Sequence, residues 1–132
     1  MPKYMLDTNI VIYTIKNRPP RVREAFKRHD GQMCISSVTL GELMYGVERS
    51  VQPERNRRAI ETMAARLDVL AFTERDADHF GQLRAELSAV GTPIGPYDTM
   101  IAAQARARGL VLVTNNLKEF RRAPGLRTEN WV

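Results

Sequence analysis

Soft metal ligands are scarce in this chain: its 132 residues include one cysteine, Cys34, and two histidines, His29 and His79. A lone cysteine excludes an internal disulfide framework and a cysteine-rich zinc site. It stands in the apolar string MCIS (33–36), where a small buried hydrophobe is expected rather than a reactive thiol. The histidines lie far apart and lack ligand spacing, which argues against a histidine metal centre or a histidine-based triad. No apolar run is long enough to cross a bilayer, and the N-terminus lacks a signal-peptide pattern. A cytoplasmic protein with no membrane contact is therefore expected. Repeats, low-complexity tracts and linkers are also missing. The length suits one hydrophobic core and is too short for two ordinary ones, so a single domain over 1–132 is expected.

What the chain has in excess is positive charge. Twenty Lys and Arg against fifteen Asp and Glu leave +5. The arginines cluster as Arg18, Arg21 and Arg23, as Arg55, Arg57 and Arg58, as Arg106 and Arg108, and as Arg121, Arg122 and Arg127. A positive field favours encounter with nucleic acid and supplies phosphate contacts independent of sequence. Ordinary solubility charge on helix faces would give the same composition.

The hydrophobic pattern alternates between short apolar runs and helical stripes. Strands are expected over 3–6, 33–35, 69–72 and 110–113. Helices are expected over 8–16, over 21–29 after Pro19 and Pro20, from Ser36 or Ser37 onward, from Pro53, from Thr73, and over 98–108 ending at Gly109. The helix after Ser37 carries Leu40, Leu43, Met44 and Val47 on one face. The next carries Ile60, Met63, Ala64 and Leu67, and the one after Thr73 carries Ala77, Phe80, Leu83, Leu87 and Val90. Thr73 and Asp76 have capping-box spacing. Continuous apolar strands between helices indicate an α/β sandwich with a mostly parallel central sheet. Ligands gather beyond the carboxyl ends of such strands. Asp7, Ser36 and Ser37, and the triplet Thr114, Asn115 and Asn116 all follow strands, and should converge there.

Three acids sit in distinctive strings: Asp7 in MLDTN (5–9), Glu42 in SSVTLGELMYG (36–46) and Asp98 in GTPIGPYDTMIAAQA (91–105). Asp7 and Asp98 each precede an expected helix, where an aspartate can act simply as an N-cap contributing about 1 kcal/mol. Thr8 and Asn9 enlarge the polar cluster beyond the needs of a cap. Glu42 falls nearly opposite its helix's apolar stripe, between Gly41 and Gly46. An interior helical glycine costs about 1 kcal/mol relative to alanine, which is easier to understand if another backbone or a substrate comes close. Gathered at one point, the three acids would hold a hard divalent cation such as Mg²⁺, which takes oxygen ligands and keeps several waters. Such a cation activates water and stabilises the leaving oxygen of a phosphodiester. Metal-dependent cleavage of nucleic acid is one reading; a catalytically silent nucleic-acid-binding module is the alternative. Glu42 discriminates, because a pure binder gains nothing from an acid facing Asp7 and Asp98.

Together the strings YMLDTNIVIYTIK (4–16), ISSVTLGELMYGVERS (35–50) and GQLRAELSAVGTPIGPYDTMIAAQARARGLVLVTNNLKEFRRAPGLRTENW (81–131) resemble the PIN-domain ribonucleases, and within them the VapC toxins of type II toxin–antitoxin pairs. The resemblance runs over essentially the whole chain. It implies a three-layer α/β/α sandwich with a mostly parallel sheet and an endoribonuclease activity that depends on Mg²⁺ or Mn²⁺. It also implies action on tRNA in the anticodon loop, initiator tRNA included, a VapB-type antitoxin covering the active-site groove, and a homodimer. The family's acids map onto Asp7, Glu42 and Asp98, with Thr8, Asn9, Ser37 and Thr114 in support. Many PIN domains place a fourth acid in a T-x-D string, where this chain has Thr114-Asn115-Asn116. Asn116 offers only a neutral oxygen, and Glu119, three residues on, could restore the missing charge. A single tightly held Mg²⁺ is expected in consequence.

Overall fold

Along each inner strand, successive side chains are buried on opposite faces, and that alternation builds the layers. The computed structural model describes residues 1–132. Its strands are β1 (Tyr4–Leu6), β2 (Met33–Ser36), β3 (Asp68–Leu70), β4 (Val111–Val113) and β5 (Arg127–Glu129). Its helices are α1 (Thr8–Lys16), α2 (Pro20–Arg28), α3 (Ser37–Glu48), α4 (Pro53–Ala64), α5 (Glu74–Ala89), α6 (Pro96–Ala107) and α7 (Leu117–Phe120). The strands form one sheet in the order β3-β2-β1-β4-β5, with every neighbouring pair parallel. Tyr4, Leu6, Met33, Ile35, Val111 and Val113 pack with residues of α1 to α4. Their strand neighbours Met5, Cys34 and Leu112 pack with α5, α6 and α7 instead. A sheet apolar on both faces requires helices on both, which gives the three-layer α/β/α sandwich.

Local chemistry sets the helix ends. Asp7 caps α1, accepting from the Thr8 N–H, and Asn17 closes it in the left-handed region at φ 55°. Ser36 caps α3 by accepting from the Val38 N–H at 3.0 Å. Thr73 and Asp76 form the capping box of α5, as their spacing suggests. Pro96 stands at the first position of α6, so Asp98 lies inside the first turn instead of preceding the helix. Two elements, α7 and β5, lack any apolar run of their own and depart from the expected pattern. On α5 the buried face runs through Asp76, Leu83 and Leu87, with Phe80 half-buried. Ala77 is exposed and Val90, just past the helix end, is 71% exposed. Of the stripe expected from Pro53 onward, only Ile60 is fully buried. Cys34 is buried and free, and burial, with the Asp68 charge, pushes its thiol up to about 12.

The chain lays down β1, β2 and β3 in one direction across the sheet, then returns to place β4 and β5 on the other side of β1. The strand order thus reverses between β1 and β4, and the crevice beyond their carboxyl ends is where open α/β sheets hold ligands. Asp7 follows β1 and Thr114 follows β4 at that crevice, joined there by the Asp7 N–H donating to the Val113 carbonyl at 2.9 Å. No helix is long and apolar enough to cross a membrane.

Candidate active site

Asp7 is 4% exposed, and both of its carboxylate oxygens are engaged. The Thr8 N–H donates to Oδ1 at 2.8 Å and the Thr114 hydroxyl to Oδ2 at 2.9 Å. Thr114 is oriented in turn by the Asn116 N–H, which donates to its Oγ1 at 3.0 Å. Burial pushes the Asp7 carboxyl above its usual value. The Thr114 and Thr8 bonds pull it back, while the charges on Glu42 and Glu119 raise it again.

Glu42 reaches this point from α3, where Thr8 donates from Oγ1 to its Oε1 at 2.9 Å. Glu119 reaches it from α7: the Asn116 amide donates to Oε2 at 2.6 Å and the Gly95 N–H to Oε1 at 3.4 Å. Asp98, on the first turn of α6, faces all three. Its carboxyl is pushed up to about 7, first by burial and then by the charges on Asp7, Glu119 and Glu42, with a hydrogen bond to Glu119 adding to the rise. An acid in the first turn of a helix is normally favoured in its charged form; here burial and three like charges outweigh the dipole.

None of the four acids forms an ion pair; the salt bridges of the structure join other residues. No three of them close into a ready-made set of metal ligands. An all-oxygen, anionic, uncompensated and open arrangement fits a hard divalent cation that keeps several waters and takes part of its coordination from a substrate phosphate. It does not fit a closed structural zinc site.

Two expected supporting residues stand apart from the carboxylates. Ser37 accepts from the Phe72 N–H at 3.1 Å, fastening the end of β3 to the start of α3. Asn9 is exposed, with no side-chain hydrogen bond to the acids.

Two residues at the rim went unread in the sequence. A cavity of about 810 Å³ beside the acids shares Thr8 and Glu42 as walls and is bounded by Gly41, Tyr45 and Tyr97. The signal was present: Tyr97 directly precedes Asp98, and Tyr45 follows Glu42 by three residues, which puts both on one helix face. A second, apolar groove of about 300 Å³ opens on the other side of Thr8 and Glu42, lined by Ile12, Ile15, Val47 and Ile60.

Comparison with known proteins agrees with this geometry. The PIN domain family model matches residues 4–126. The tRNA(fMet)-specific endonuclease VapC of Shigella flexneri is 59% identical over 131 residues, covering 99% of each chain. Ribonuclease VapC2 of Haemophilus influenzae is 54% identical over 132 residues and all of both chains. Among solved structures, the toxin-length chain of DNA-bound VapBC from Salmonella typhimurium superimposes with a TM-score of 0.96 at 56% identity, covering 100% of each chain. The chain belongs to the PIN-domain family, within its VapC ribonuclease branch.

Proposed function

We propose that this chain is the toxin of a type II toxin–antitoxin pair, a divalent-metal-dependent endoribonuclease that cuts tRNA in the anticodon loop, initiator tRNA foremost, and so halts translation in the cytoplasm. One observation carries the reading: four carboxylates without cationic partners meet at the switch point of the sheet. The naming of a full-length relative at 59% identity as a tRNA(fMet)-specific endonuclease directs it toward initiator tRNA.

Asp7, Glu42 and Asp98 would hold the cation, Mg²⁺ or Mn²⁺, with Glu119 supplying the charge that Asn116 lacks. When bound, the cation supplies activation of water and stabilisation of the leaving oxygen. Thr114 and Thr8 hold Asp7 and Glu42 at fixed angles, and Asn116 anchors Glu119. Asp98, with its carboxyl at about 7, is about half protonated at neutral pH, and a bound cation would favour its charged form. A single-stranded loop suits an open crevice because its phosphates and unstacked bases are accessible, unlike those of an A-form stem.

The antitoxin would lie over the apolar groove at Ile12, Ile15, Val47 and Ile60 and could present a guanidinium to the carboxylates. The VapBC complex from Salmonella typhimurium supports a partner of this kind. We read the active form as a homodimer, to be checked by light scattering.

The test is incubation of total bacterial tRNA with purified protein, in Mg²⁺ or EDTA, beside Asp98→Asn. A discrete fragment that needs Mg²⁺ and is absent with the variant is the expected result. Intact tRNA in every lane with retained binding would leave a silent nucleic-acid-binding module.

A further inference from the structure

Large hydrophobic side chains are mostly buried in this protein, and two of the exceptions flank one cavity. Tyr45 is 63% exposed and Tyr97 59% exposed. Both line the 810 Å³ cavity whose other walls include Thr8 and Glu42, members of the carboxylate site. Its floor is apolar, formed by Val38 and Met100. Leaving two aromatic rings in water forgoes the gain of burying them. A ring that is exposed next to a reaction centre can recover that gain when something flat lies on it.

The surroundings narrow what that is. Arg49 lies over Tyr45, with its guanidinium 5.4 Å from the ring centroid and its Nη1 donating to the hydroxyl at 3.3 Å. That guanidinium pairs with no carboxylate. It orients the ring and adds a positive charge beside the cavity. Gly41 also lines the cavity, and a Cβ placed there would meet nothing within 4 Å. Packing therefore does not demand a glycine at this position, whereas access to the cavity benefits from one. Aromatic faces, an apolar floor and a spare cation match an unstacked nucleobase with its phosphate. Stacking of this type accepts any base, since each has a π-face.

We propose that Tyr45 and Tyr97 form a nucleobase subsite that takes one unstacked loop base adjoining the scissile phosphate and so sets the RNA's register over the carboxylates. The subsite rests on the ribonuclease reading above and specifies how that site holds its substrate.

The test uses a hairpin RNA with the anticodon stem and loop of initiator tRNA, cleaved in Mg²⁺ by wild type, Tyr45→Ala, Tyr97→Ala, Tyr45→Phe and Tyr97→Phe. Each alanine variant should raise KM about tenfold while kcat stays within about a factor of three. Tyr97→Phe should match wild type, because stacking needs the ring and not the hydroxyl. Tyr45→Phe keeps the ring but loses the Arg49 hydrogen bond that orients it, and should raise KM less than Tyr45→Ala. A hairpin lacking the one base that occupies the subsite, found by placing an abasic nucleotide at each loop position in turn, should lose the same factor with wild type. It should lose no further factor with the alanine variants. An unchanged KM, or abasic and alanine penalties that simply multiply at every position, would overturn the subsite. A change in sedimentation of the alanine variants with KM unaltered would also overturn it, assigning the tyrosines to a contact between copies.

Wild type that leaves the hairpin intact would defeat the ribonuclease reading, and the subsite is then judged by binding. In that case 2-aminopurine at one loop position should be quenched by wild type and remain bright with the alanine variants. Equal fluorescence with both would overturn the subsite separately.

Discussion

Thr114 donates its hydroxyl proton to Asp7 Oδ2 at 2.9 Å, joining the ends of β1 and β4 across a separation of 107 residues. The bond favours the charged form of a carboxyl that burial pushes above its ordinary value. Thr114→Val, nearly isosteric, removes the donor and leaves the shape. Divalent-cation affinity near pH 7 should then fall roughly tenfold, the worth of a hydrogen bond to a charged group. Part of the loss should return as pH is raised, because a carboxyl held above its ordinary value is more fully ionised there. Mn²⁺ titration calorimetry at neutral and at raised pH checks this; equal affinity in parent and variant would refute the role given to the hydroxyl.

Asp98 determines how stability of the metal-free protein depends on pH. Its folded value is raised, to about 7 from an ordinary 3.8, so between those values the folded chain holds a proton that the unfolded chain has released. Stability from this group is full at low pH and falls as pH rises through that window. Asp98→Asn removes the penalty. In EDTA at about pH 8 the variant should be more stable than the parent by about 1–2 kcal/mol, less than the whole shift implies because solvent reaches the carboxyl. Saturating Mg²⁺ should reverse the order. Thermal melting across pH in EDTA and in Mg²⁺ is the measurement, and a variant no more stable than the parent in EDTA would contradict it.

Glu119, proposed above to supply the charge that Asn116 lacks, raises Asp98 by its charge and its hydrogen bond. Glu119→Gln should therefore move the acid limb of the pH–activity profile down by up to about one unit. It should also weaken a second cation more than the first. For the parent, Mn²⁺ titration should give one tight site and at most a much weaker second. Two equally tight sites, or an acid limb that does not move in the variant, would remove Glu119 from the site.

The layers and the three acids were legible because each leaves a local trace. Apolar runs mark β1, β2 and β4, and the strings around Asp7, Glu42 and Asp98 place those acids near helix starts or opposite an apolar stripe. What went unread depends on tertiary pairing. In β5 only Thr128 is half-buried, and the strand exists because β4 offers it a parallel edge. Helix α7 is four residues long, too short for a periodicity to show. Pro96 moves the start of α6 back by two residues and turns Asp98 from an apparent cap into a group inside the first turn. Asp76 displaces Ala77 from the buried face of α5 because Thr73 and Arg108 give it partners there, which hydropathy does not register.

That last contact supports a prediction at a distance from the carboxylates. Asp76 is fully buried, and Arg108 reaches it with two nitrogens, Nε to Oδ1 at 3.2 Å and Nη2 to Oδ2 at 3.0 Å. The Thr73 N–H and hydroxyl donate to the same carboxylate at 2.8 and 3.1 Å. Burial acts to raise its carboxyl, yet the Arg108 and Thr73 bonds together hold it below the ordinary value. An acid lowered in the folded state contributes stability above its unfolded value and loses it as pH falls through the folded one. Asp76→Ala should cost about 2–4 kcal/mol at neutral pH, because it breaks the α5 cap and strands a guanidinium that solvent only partly reaches. The deficit should shrink on acidification below about pH 4, where the parent begins to lose the same pair. Arg108 follows the C-terminal end of α6 and Asp98 sits at its N-terminal end, so Mn²⁺ affinity of the folded variant should stay at the parent's value. Chemical denaturation across pH with a parallel Mn²⁺ titration separates the two effects: a loss of cation affinity equal to the loss of stability would mean that the pair holds the carboxylate crevice in place as well as the fold.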